Sequence, residues 1–75
     1  MTKHDLLEHL ADGGQADATS VATTFGIGYA AAAMALLRLT RQNLAHRYLD
    51  PDDRLYFYEL TERGHARLAF FRTHQ

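Results

Sequence analysis

The side chains best equipped for chemistry here are arginines, and they begin late. Through Leu37 a single Lys faces Asp5, Glu8, Asp12 and Asp17, whereas seven Arg (Arg38, Arg41, Arg47, Arg54, Arg63, Arg67 and Arg72) follow, among Asp50, Asp52, Asp53, Glu59 and Glu62. A guanidinium presents a planar fork of donors that fits phosphate or carboxylate oxygens. Arg38, Arg41, Arg47 and Arg54 are therefore candidate phosphate contacts, with the Tyr29 hydroxyl as a further donor. The competing reading leaves these cations in solvent, some paired with Asp50, Asp53 or Glu59. Arg63, Arg67 and Arg72 read as ordinary helix surface.

Other chemistries find no support. His4 and His9 are five residues apart, off the i, i+4 spacing that aligns two metal ligands on one helical face, and His46, His65 and His74 fall in separate elements. Without cysteine there is no thiolate site and no disulfide. No nucleophile and base pair, carboxylate cleft or phosphate loop can be assembled, so the expectation is a non-enzyme with neither metal nor cofactor.

The elements that must position these residues follow from periodicity. Thr2 and Asp5 have capping-box spacing, and Leu6, Leu7 and Leu10 recur on a helical period until Gly13-Gly14. Asp17 is suited to cap a second helix through the amides of Thr19 and Ser20, with Val21, Ala22 and Phe25 inward. After Gly26-Ile27-Gly28 a third helix runs from Tyr29 to Arg41 or Gln42, with Ala32, Ala35, Leu36 and Leu39 on one face and Asn43 expected in a left-handed conformation. Two helices joined this tightly must cross steeply.

The period then falls from 3.6 to 2. Ala45 to Leu49 and Leu55 to Leu60 read as strands of a hairpin around Asp50-Pro51-Asp52-Asp53, with proline where a type I turn accepts it. Tyr48, Tyr56 and Tyr58 read as edges of the core, while Phe57 either lies under the last helix or joins Leu55 in an exposed patch. Thr61 caps a final helix that returns Leu68 and Phe71 to the core. The expectation is one domain over residues 1–75, of the α+β class but mainly α: a three-helix core, a two-stranded wing and a C-terminal helix.

From Val21 to Leu68 this order resembles the winged helix-turn-helix lobe of bacterial MarR and PadR type transcription regulators. Ala22, Gly26 and Ala32 stand at the small, glycine and inward aliphatic positions of the helix-turn-helix. Asp52 and Arg54 match the Asp-x-Arg of the wing, and Leu60-Thr61-Glu62-Arg63-Gly64 matches the Leu-Thr-x-x-Gly junction after it. The resemblance implies duplex DNA as partner, with Arg54 entering the minor groove and Asp52 orienting it. It also implies that Tyr29, Ala30, Ala33 and Met34 face the major groove, with Arg38, Arg41 and Arg47 on the backbone. It covers the lobe alone, so the family's effector binding is not carried over.

One departure matters for function. Gly28 to Leu37 contains no charged residue, and Tyr29 is its one polar side chain. Alanines pack on thymine methyls but form no bidentate bond to a base edge. The leading expectation is a small DNA-binding regulator or accessory factor. The alternative is a protein-interaction module that uses the apolar face of helix three and the wing. A homodimer through the first and last helices, with Phe70 in contact, is a further expectation. Charges throughout Thr2 to Leu10 argue against a signal peptide, and no apolar run reaches the ~20 residues of a membrane span, so the chain reads as cytoplasmic.

Overall fold

The computed structural model describes residues 1–74. Its elements in order are α1 (Lys3–Gly13), α2 (Ala18–Phe25), α3 (Tyr29–Arg41), β1 (Ala45–Asp50), β2 (Leu55–Leu60) and α4 (Glu62–Thr73). The α+β architecture, four helices around one antiparallel hairpin, is the one expected from the pattern.

Three of the four helices, α1, α2 and α4, begin where a side chain satisfies a free backbone donor, whereas α3 starts from Gly28 without a side-chain cap. Thr2 and Asp5 form the reciprocal capping box, at 3.1 Å for the Asp5 amide on Thr2 Oγ1 and 2.9 Å for the Thr2 amide on Asp5 Oδ2. The bond from the Thr2 amide holds the Asp5 carboxyl below the usual carboxylate range. A depressed folded value means this cap stabilises above the ordinary carboxylate range and loses that contribution as pH falls through the depressed one. Asp17 caps α2 through the Ser20 amide alone, at 2.8 Å, rather than through Thr19 and Ser20 together. Its φ and ψ of -101° and 171° aim the carboxylate at the third amide of the helix.

Gly26 ends α2 with φ 64°, and the amides of Gly26 and Ile27 both return to the Ala22 carbonyl. This left-handed residue allows α3 to leave at 116° to α2 within three residues. Leu6, Leu7, Leu10, Val21, Ala32, Leu36, Leu39, Leu44 and Leu68 form the buried centre, with Phe25, Ala35 and Phe71 packed against it. Glu8 links α1 to α4, since its Oε1 lies 3.1 Å from His4 Nε2 and 3.3 Å from Arg72 Nε. Both bonds are solvent-accessible and contribute little beyond orientation.

In the wing, Ala45 pairs with Leu60 and Asp50 with Leu55. β1 is one residue longer than its pattern indicated, and the turn is wider than a type I turn. The Arg54 amide donates to the Asp50 carbonyl at 2.7 Å, a reach of four residues, and Arg54 takes φ 56°. The Asp50 carboxylate holds the loop from within by accepting the Asp52 amide at 2.9 Å and the Asp53 amide at 3.4 Å. Asn43 adopts the expected left-handed conformation, with φ 61°.

Two aromatic placements differ from expectation. Tyr58 is buried, but Tyr56 is 48% exposed, because it lies nearer the wing tip, past the reach of the helices. Its ring is instead covered by the Arg47 guanidinium, 4.3 Å from the centroid. Phe57, half-buried, stacks on Tyr48 of the paired strand at 6.1 Å between centroids. The periodicity also missed a third pairing. Ala16 and Tyr58 exchange both backbone bonds, at 3.0 and 2.8 Å, which fastens the α1–α2 connection to β2. A single bridged residue between Gly14 and Asp17 leaves no alternation to detect.

At the wing-to-α4 junction, the Thr61 amide donates to the Leu44 carbonyl at 3.1 Å and its hydroxyl to the Asn43 carbonyl at 2.6 Å, while the same hydroxyl caps Gly64 at 3.0 Å. A methyl on Gly64 would overlap the Leu44 carbonyl oxygen and stand 3.0 Å from the carbonyl carbon, so only glycine permits this approach.

Gly64→Ala should therefore destabilise the fold by about 2 to 3 kcal/mol, read as a lower midpoint in urea; an unchanged midpoint would show that the junction yields without cost. Arg54→Gly should act oppositely. Removing a side chain from a left-handed residue is expected to add a few tenths to about 1 kcal/mol in thermal unfolding, a gain that Arg54→Ala should not share.

Candidate nucleic-acid interface

Three of the candidate residues meet across the gap between α3 and the wing. Tyr29 and Ala33 from α3, with Arg54, Leu55 and Tyr56 from the wing, line a groove of about 130 Å³ whose floor includes Ala18 and Tyr58. The steep α2–α3 crossing sets the start of α3 here, and Arg54, at the end of the wing turn, lines the opposite side. Tyr29 is 64% exposed, so its hydroxyl is available to an incoming partner.

The outward face of α3 is a stripe rather than a pocket. Ala30 and Arg41 are exposed, Met34 is 43% exposed and Leu37 is half-buried, at the i, i+4, i+7, i+11 spacing of one helical face. The buried Ala32, Leu36 and Leu39 lie on the opposite side. Chemically the stripe is apolar for two turns and cationic at its end. Arg38, also exposed and one turn beyond Met34, borders the stripe on its other side, where with Lys3, Leu6, Ala35 and Leu39 it lines a concavity of about 180 Å³ between α1 and α3.

The wing carries the other two cations. The Arg47 guanidinium lies over the Tyr56 ring, and Arg54 is exposed at the turn. Among the described residues no ion pair engages Arg38, Arg41, Arg47 or Arg54, so none is neutralised by Asp50, Asp53 or Glu59. Asp52 likewise forms no ion pair with Arg54; its amide bonds the Asp50 carboxylate. Asp50, not singled out from the sequence, organises the turn, and the Asp-Pro-Asp order, typical of side-chain-to-backbone turns, was the available signal.

Tyr48 closes the back of the wing by donating its hydroxyl to Gln15. Partial burial, reinforced by the Glu59 and Asp50 charges, pushes its hydroxyl up from the usual tyrosine value. It thus serves as a brace for the hairpin.

No family model matches the chain, and no curated protein matches it. Solved structures do. A MepR-like protein complexed with pseudoligands is 34% identical, with a TM-score of 0.83 over 89% of this chain and 48% of that one. A Lactococcus lactis ZitR mutant in its apo form is 25% identical, with a TM-score of 0.82 over 96% of this chain and 55% of that one. An E. coli MarR mutant complexed with operator DNA shares the fold at 18% identity, with a TM-score of 0.83 over 89% of this chain and 49% of that one. The chain spans about half the length of the structures it matches. The chain thus shares the winged helix-turn-helix fold of about half of each of these structures.

Proposed function

We propose that the chain is a DNA-binding transcriptional regulator or accessory factor that holds duplex DNA between α3 and the wing. The observation that carries this reading is the set of four arginines on the α3 and wing side that form no ion pair among the described residues, in a chain whose net charge is -1. A phosphate backbone is the partner that rewards cations placed in this way. The MarR mutant with the same fold was crystallised with operator DNA, which supports this mode of docking. The transcriptional regulator BldR from Sulfolobus solfataricus has the same fold, which supports a regulatory rather than a catalytic role.

In this arrangement α3 enters the major groove with Tyr29, Ala30, Ala33 and Met34 toward the bases. Arg41 and Arg38 meet the backbone at its rear, Arg54 reaches the minor groove and Arg47 flanks it. Asp52, at the wing tip, is free to orient Arg54 once DNA is bound. A second copy adds contacts through α4, where Phe70, Arg63, Ala66 and Arg67 form an exposed apolar and basic surface. Sedimentation at micromolar concentration should then show a dimer, and a monomer throughout would remove this part of the proposal.

Affinity for random-sequence duplex should be measurable at low salt and fall steeply as salt rises, with a log–log slope of about -3 for some three to four phosphate contacts. Binding absent at low salt, or indifferent to salt, would sink the reading. Arg54→Ala should weaken binding by about 1 kcal/mol while leaving the melting temperature within a degree or two; equal affinity would take Arg54 out of the interface.

A further inference from the structure

The outward stripe of α3 is unusual for a surface meant to distinguish base pairs. Ala30, Met34 and Leu37 supply methyl and thioether surface over two turns, with no amide, carboxylate or guanidinium among them until Arg41. The exposed side chain preceding them, Tyr29, has a single hydroxyl and sits beside the wing groove. Guanine, cytosine and adenine are recognised on their major-groove edges by polar groups, which this face lacks. The one major-groove feature that an apolar surface can recognise is the thymine C5-methyl group.

We propose that this chain selects thymine-rich duplex DNA by burying thymine methyls against Ala30, Met34 and Leu37. The proposal rests on the DNA-binding reading above and names its target class. Charge complementarity identifies the occupant: the apolar stripe ends in Arg41 and bears no acid of its own, Arg54 lines the neighbouring groove beside Tyr29 and Ala33, and Arg47 lies over Tyr56 of that groove. From Ala30 to Arg41 the helix rises about 16 Å, so methyls deep in the groove and a phosphate at its rim are met by the same face. The small Ala30 side chain lets the helix backbone come close, and Met34, unbranched and polarizable, can follow methyls at different steps. A polypeptide partner would find the same apolar stripe, but the guanidiniums of Arg41 and of the wing, which form no ion pair among the described residues, would have to be desolvated or matched by acids.

The test uses the chain as it stands and four duplexes of equal length and ionic strength, compared by fluorescence anisotropy. One is thymine-rich; the second replaces every thymine by deoxyuridine, which removes the C5-methyls and keeps every hydrogen-bonding group. The third is G·C-rich, and the fourth is the G·C duplex carrying 5-methylcytosine, which restores methyls to the major groove. Binding should weaken about fourfold to fifteenfold from thymine to deoxyuridine, as expected for one or two buried methyls, and the methylated G·C duplex should bind more tightly than the plain one. Met34→Gln, at an exposed position that leaves the core intact, should shrink the thymine preference to within about twofold. Equal affinity for thymine and deoxyuridine duplexes would overturn the inference while leaving DNA binding in place. No binding to any of the four would overturn both, and the apolar stripe would then belong to a protein or to a second copy of this chain.

Discussion

The approach of Gly64 to the Leu44 carbonyl is the contact on which the arrangement turns. At that point the end of α3, the base of the wing and the start of α4 converge, and the Leu44 carbonyl is shared between the Thr61 amide and the space a side chain would have taken. Thr61 makes this junction bifunctional, since its hydroxyl donates to Asn43 and accepts from Gly64. The turn after α3 and the first turn of α4 are thus tied by one side chain. With no disulfide and a small core, the domain depends on such junctions more than a larger one would.

That junction also sets the site. The wing begins at Ala45, immediately after Leu44, so the angle at which the hairpin leaves the core is fixed where Thr61 and Gly64 lock the strand ends. A second anchor, the Ala16–Tyr58 bridge, holds β2 midway along its length. Beyond it the hairpin stands free, which is why Leu49, Leu55 and Tyr56 remain exposed and why Arg47 finds an aromatic ring rather than a carboxylate as its neighbour. A wing fixed at its base and open at its tip suits a surface that must follow a groove.

The electrostatics are economical. Four arginines on the α3 and wing side carry no ion pair among the described residues, whereas Glu8 takes its two partners, His4 and Arg72, on the α1–α4 side. The acids of the wing tip are occupied differently: Asp50 bonds backbone amides within its own turn. The weakly acidic total thus coexists with a face presenting positive charge, because local geometry, not composition, decides which charges are neutralised.

The sequence alone determined the helices, their caps, the left-handed Asn43 and the wing, because each rests on local physics: a period, a capping side chain, a turn residue. It also marked Tyr29, Ala33 and Arg54 as candidates, which the fold brings to one groove, and Ala30 and Met34, which it places on the outward face of α3. Tertiary structure decided what depends on residues distant in the chain. Arg38 turned to a different concavity from Arg54, Tyr56 emerged from the core under Arg47, and Ala16 paired with Tyr58 across 42 positions. Glycine at 64 could be recognised as a motif residue, but its reason, a carbonyl twenty residues earlier, exists only once the chain has folded back on itself.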